Sequence, residues 1–145
     1  MTPIVPSGQG HLLTARGNVL AFKAVAAQTG GDFSLMERTV PPGARTPPAH
    51  RHVNCSEAFF VLDGVITFLL EKAVVAGGAG DFLLVPRGAA HTFGNRDSEP
   101  ARLLVLHAPA MDAYFEELHL LWSGGSPPTP EAERELMSRY GMEPA

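Results

Sequence analysis

Short apolar runs broken by turn residues carry the chain as far as Ala108, and a different period takes over after Pro109. Leu12 to Ala15 reads as a short strand. From Asn18 to Ala26, Val19, Ala21, Lys23 and Val25 alternate with Leu20, Phe22 and Ala24, so both faces of this strand are largely apolar and partly covered. Thr29-Gly30-Gly31-Asp32 is a turn. Phe33 to Val40 follows, with Phe33, Leu35 and Glu37 on one face and Met36, Arg38 and Val40 on the other. Pro41-Pro42-Gly43 ends that strand, because neither proline can donate to a ladder. Ala58 to Leu62 and Val65 to Leu70 are strands on either side of Asp63-Gly64, a pair of turn residues that predicts a hairpin. Ala73 to Gly80 contains Gly77, Gly78 and Gly80 and predicts a turn region. Asp81 to Val85 and Ala101 to Ala108 are further strands, and Leu103, Val105 and His107 share one face of the second.

Beyond Pro109, Met111 to Leu121 predicts a helix: Tyr114, Phe115, Leu118, Leu121 and the adjoining Trp122 recur at helical spacing, while Asp112, Glu116 and Glu117 fill the opposite face. Ser123 to Pro130 is a loop. Thr129 is placed to cap a second helix, with Pro130 at its first position, and Gly141 stops it after Tyr140. Many short strands and two C-terminal helices are therefore expected, in one domain and without an internal repeat.

Composition narrows the function. At 145 residues the chain is long enough for one proper core. The net charge is −4 and Lys and Arg are scattered, which argues against a nucleic-acid surface. No apolar run approaches the ~20 residues needed to cross a bilayer. Met1 to Gly17 lacks the basic-then-apolar layout of a secretory signal. The single cysteine, Cys55, excludes an intrachain disulfide, and a cytoplasmic location is expected.

The candidate chemistry lies between Gly43 and Asn95. His50 and His52 point to the same face if they sit on a strand. Glu57 joins them only if a loop or bulge intervenes. His91 is delivered by a strand, a Pro86-Arg87-Gly88 turn and a second strand. Three imidazoles and one carboxylate suit Fe, Mn, Ni, Cu or Zn, and burying them together without a partner would be costly. Phe59, Val61 and Phe93 share the parity of Glu57 and His91 and are expected to line a cavity beside the metal, as cavity wall or as ordinary core. Arg38 is read either as an inward partner for an anionic substrate or as a rim charge. His107 orients a metal ligand from behind or acts as a base if it faces inward, and is otherwise a hydrogen-bonded histidine at the end of a strand. His11 and His119 read as solvated or flanking residues, Asn95 as a turn residue bonded to nearby backbone, and Cys55 is left outside the ligand set.

These residues carry a resemblance to the cupins. The first cupin motif is matched by Gly43, His50, His52, Glu57 and Gly64, with six residues rather than five before His50, and the second without departure by Gly80, Pro86, Gly88, His91 and Asn95. The resemblance implies an all-β fold, a small antiparallel β-barrel of the jelly-roll kind at about residues 11–108, with a helical flank at about 111–141. It implies a divalent metal inside the barrel, held by His50, His52, Glu57 and His91. In some cupins the equivalent of Glu57 leaves the metal and acts as a base, so Glu57 and His107 are the catalytic candidates. The resemblance is compatible with oxygenation of a small aromatic or polyketide-like molecule, as in quercetin-dioxygenase-like cupins. It is equally compatible with zinc-dependent aldol-type ring closure, as in cupin polyketide cyclases, and with a metal-containing binding barrel that turns nothing over. A homodimer is expected, because N-terminal strands in small barrels are often donated to a partner's sheet.

Overall fold

A computed structural model describes residues 4–145. Among the described residues, eleven strands form two antiparallel sheets. One contains β1 (His11–Ala15), β2 (Asn18–Ala24), β3 (Ser34–Val40), β5 (Ser56–Asp63), β8 (Phe82–Val85) and β10 (Ala101–Ala108), in the order β1-β2-β3-β10-β5-β8. The other contains β4 (His50–His52), β6 (Val65–Leu70), β7 (Ala73–Gly78), β9 (His91–Gly94) and β11 (Met142–Pro144), in the order β11-β4-β9-β6-β7. Helix α1 (Ala26–Thr29) is a single turn. Helices α2 (Asp112–Trp122) and α3 (Pro130–Arg139) form the C-terminal flank.

The alternation read from the sequence governs which side chains enter the core. Along β10, Ala101, Leu103, Val105 and His107 are buried and their neighbours are half-exposed. Along β5, Glu57, Phe59 and Val61 point inward. Ile66 and Phe68 of β6 and Phe93 of β9 meet them from the other sheet. The two sheets share no ladder among the described residues, so the expected closed barrel is an open jelly-roll sandwich.

Three expectations about elements change. Asp63-Gly64 does not close a hairpin: β5 pairs with β10 and β8, whereas β6 pairs with β7 and β9. The chain switches sheets here. Gly64 has φ 76°, and a Cβ on it would lie 2.6 Å from the Pro100 carbonyl oxygen and 2.8 Å from Ala101 Cα. The true hairpin joins β6 to β7 through Glu71 and Lys72, with Glu71 in the left-handed region at φ 52°. The glycine-rich stretch after it is strand rather than turn, because Gly77 and Gly78 pair with Ile66 and Val65 on an edge that demands little side-chain packing. Finally, β2 stops at Ala24 and α1 follows, closed by Gly30 at φ 65°. Strands β1 and β2 pair within their own chain's sheet.

Both predicted helices form. The Thr129 hydroxyl accepts from the Ala132 N–H at 3.1 Å and caps α3. Phe115 of α2 packs on Phe22 at 5.8 Å, and Tyr114 meets Tyr140 at 5.6 Å. The chain then returns as β11 to pair with β4, setting Met142 opposite His52 and Pro144 opposite His50. The flank is thereby tied to the strand that bears two candidate ligands.

Candidate metal centre

The sandwich brings the four candidate ligands together from both sheets. His50 and His52 come from β4 and His91 from β9, where His50 and His91 are cross-strand partners. Glu57 comes from β5 in the opposite sheet. Residues 53–55 make the crossing, which resolves the parity mismatch between His52 and Glu57. All four are buried, and one ligand atom from each lies within 4.8 Å of the others. His50 Nε2 is 3.3 Å from His52 Nε2, His91 Nε2 is 2.7 Å from Glu57 Oε1, and His52 Nε2 is 3.7 Å from the same oxygen.

Backbone carbonyls set the tautomers. His50 Nδ1 donates to the Pro48 carbonyl at 2.7 Å, and His91 Nδ1 donates to the Ala89 carbonyl at 3.0 Å. The Nε2 lone pairs then face the common point alongside a carboxylate oxygen. The rigid Thr46 to Ala49 run places the carbonyl that His50 uses. Burial first, and then the neighbouring His91, push the His50 imidazole down to about 3, so at neutral pH it presents a free electron pair. Burial alone would raise the Glu57 carboxyl, but His107, followed by bonds to His52 and His91, holds it well below the usual carboxylate range. Burial lowers His91, and its bond to Glu57 and the charge there outweigh that, so its pKa is raised. With Nδ1 donating to Ala89, the His91 Nε2 electron pair and the Glu57 carboxylate oxygen 2.7 Å away repel unless a cation joins them. A divalent ion held by His50, His52, Glu57 and His91 would use all four electron pairs, so the donor set fits one.

His107 faces inward, 1 % exposed, directly opposite Glu57 in the β10–β5 ladder. Its Nε2 bonds the second carboxylate oxygen, Glu57 Oε2. It is therefore a hydrogen-bonded histidine near the end of β10 whose partner is the candidate ligand Glu57. Arg38 also faces inward, 3 % exposed, in the row of Met36 and Val40, which excludes the rim position. Its Nε donates to Asn18 Oδ1 at 3.0 Å, and its guanidinium lies 4.9 Å from the centre of the Phe93 ring.

The aromatic wall divides. Phe93 lines the cavity at the ligands, a space of about 20 Å³ bounded also by Arg38, Tyr114, Phe115 and Met142. Phe59 and Val61 instead line a separate cavity of about 220 Å³ with Phe68, Val75 and Phe82. Phe59 stands between the two spaces, 5.2 Å from Phe93 and 5.1 Å from Phe68. Parity puts them on one face correctly, but the packed Phe59 and Phe93 rings separate their space from the one at the candidate ligands.

The remaining polar candidates are structural. Asn95 Nδ2 donates to the Val40 and Glu99 carbonyls at 2.9 and 2.8 Å. His11 meets Glu116 at 2.5 Å and His119 meets the Thr14 backbone, pinning α2 to β1. The Cys55 thiol is buried outside the ligand cluster and donates to the Ser56 carbonyl at 3.2 Å; burial first, and then the charge of Glu57, push it up to about 11. Arg16 and Tyr114 line the ligand cavity without having been foreseen as site residues. The helical period marked Tyr114 as apolar-face, but no spacing signals which strand that face covers.

The model of the cupin domain family matches residues 36–107, a span that holds all four candidate ligands and His107. The chain belongs to the cupin superfamily. This cupin is 26% identical over 116 residues to the quercetin 2,3-dioxygenase of Bacillus subtilis (strain 168), a match covering 79% of this chain and 34% of that protein. It thus spans about a third of the length of that relative. Among solved structures, the polyketide cyclase RemF from Streptomyces resistomycificus is similar with a TM-score of 0.64 and 22% identity, over 74% of this chain and 80% of that one. KdgF from Halomonas sp. is similar with a TM-score of 0.65 and 15% identity, over 78% and 98%. At these identities the structural likeness shows the shared fold. No helix of the described residues is long and apolar enough to cross a membrane.

Proposed function

We propose that this cupin is a single-domain, metal-dependent enzyme that oxygenates a small aromatic or polyketide-like molecule, with one divalent ion per chain held by His50, His52, Glu57 and His91. The observation that carries this reading is the convergence of four buried electron-pair donors from both sheets, with His107 behind Glu57. The likeness to a quercetin 2,3-dioxygenase supports it. When bound, the ion supplies Lewis acidity, and a redox-active one adds electron transfer. The chain supplies the rest. The Pro48 and Ala89 carbonyls orient two rings, His107 holds or moves a proton at Glu57 Oε2, and Phe93 and Phe115 keep bulk water away.

A second reading, zinc-dependent ring closure, is favoured by the buried His107–Glu57 pair, which can handle protons without redox chemistry. A third, a binding barrel without turnover, is favoured by the cavity of about 20 Å³, which has room for little more than one water molecule. We also propose a cytoplasmic homodimer. An apolar patch on the outer face of the six-stranded sheet supports the dimer, where Phe60 faces Phe82 and Leu84 lies nearby, all large and exposed.

The deciding experiment is elemental analysis of protein purified without added metal, with the His50→Ala/His91→Ala variant as control. Iron, manganese, nickel or copper near one per chain, lost in the variant, supports the oxygenase, and oxygen uptake with phenolic substrates is then expected. Zinc near one per chain supports ring closure. No metal in either protein overturns the metal-dependent readings.

A further inference from the structure

We propose that Arg38 anchors an oxyanion, a carboxylate or enolate oxygen of the substrate, beside the metal centre. This deepens the functional reading above and rests on it. It assigns the substrate class as acidic.

Three observations on the cavity wall converge. First, Arg38 is buried with one guanidinium nitrogen unused: Nε reaches Asn18, but Nη2 has no partner among the described residues. Its direct cross-strand neighbours, Leu20 on β2 and Leu103 on β10, are apolar, and the sheet's one acceptor, Asn18 Oδ1, is taken by Nε. A buried cation with an idle donor is costly unless something else completes it. Second, the nearby acids are committed elsewhere. Glu133 is paired with Arg16, and Glu57 is shared among His52, His91 and His107. A divalent ion at the centre would outweigh the single charge of Glu57, and Arg38 would add a further uncompensated positive charge in the same closed space. Third, the Tyr114 hydroxyl accepts from Arg16 Nη2 at 3.3 Å, and its own proton has no acceptor among the described residues. Arg38 and Tyr114 line the same cavity as the ligands. Two unspent donors and a net positive field are the features of a site completed by an anion, and a planar guanidinium suits a planar oxyanion.

The test uses formate as a minimal oxyanion and formamide as its neutral counterpart, at matched ionic strength, with binding read by calorimetry and by the shift of the thermal midpoint. Wild-type protein, both as purified and after metal loading, is expected to bind formate and not formamide. Arg38→Met is expected to weaken formate binding by about tenfold or more, with metal content unchanged and Arg38→Lys falling between. Equal effects of formate and formamide on the wild type, or equal formate binding by wild type and Arg38→Met, would overturn the inference. If Arg38→Met does not fold, the formate–formamide comparison on wild type and Arg38→Lys decides. Failure of the metal reading is seen separately, as absence of metal from the wild type. The formate titration of metal-free protein then still judges Arg38.

Discussion

At the scale of single residues, the pairing of Glu57 with His107 is the contact with the sharpest consequence. His107→Ala leaves all four ligands in place but strips the partner from a buried carboxylate oxygen. Stability should fall by about 1–3 kcal/mol, read by urea unfolding, while metal stoichiometry is retained and turnover drops roughly a hundredfold or more. Loss of the metal in that variant would mean that His107 is itself needed to hold it. The clustering of the four candidate ligands was legible because their spacing is chemically unusual: two histidines on one strand face, a carboxylate past a crossing, and a histidine after a Pro-x-Gly turn. The positions of His107 and Arg38 were only half legible. Alternation put each in a row of apolar residues, but whether that row faced core or solvent depended on neighbours such as Leu20 and Leu103, which come from distant strands.

At the scale of elements, Gly64 shows where local reading fails. Asp-Gly between apolar runs describes a reversal, and nothing nearby tells whether the return strand joins the same sheet or the other one. The structure sends it to the other one, and Gly64 approaches Pro100 and Ala101 closely as a result. Gly64→Ala should therefore destabilise the protein by about 1–3 kcal/mol through the positive φ alone, and by more if the backbone contact cannot relax. The midpoint of a urea transition, with its slope unchanged, measures this. A variant as stable as wild type would show that the corner is loose. The glycines of β7 misled in the opposite direction, since an edge strand tolerates residues that a central strand would not. Strand β11, three residues long and ending in Pro144, carries too few positions for any period to register. The long periodic stretches of β10 and α2 were read correctly because their patterns run over several repeats.

At the scale of the whole molecule, the ligands divide between the two sheets, with three histidines on one and Glu57 on the other. A bound ion would cross-link the halves of the sandwich. Divalent metal at about a hundredfold excess over its dissociation constant should add roughly 2.7 kcal/mol of stability, seen as a higher thermal midpoint that a chelator reverses. A midpoint indifferent to metal would mean that the folded sandwich does not bind the ion in preference to the unfolded chain. One further consequence follows from the flank. Helix α2 closes the ligand cavity with Tyr114 and Phe115 and is fastened by Arg16 to Tyr114, by His11 to Glu116, and by the Ala26 N–H to Asp112 Oδ1 at 2.9 Å. If a guest larger than water enters past α2, those fastenings must release first. Capture then has a ceiling: past a certain concentration, adding more ligand no longer speeds its arrival, because the waiting time belongs to the helix and not to diffusion.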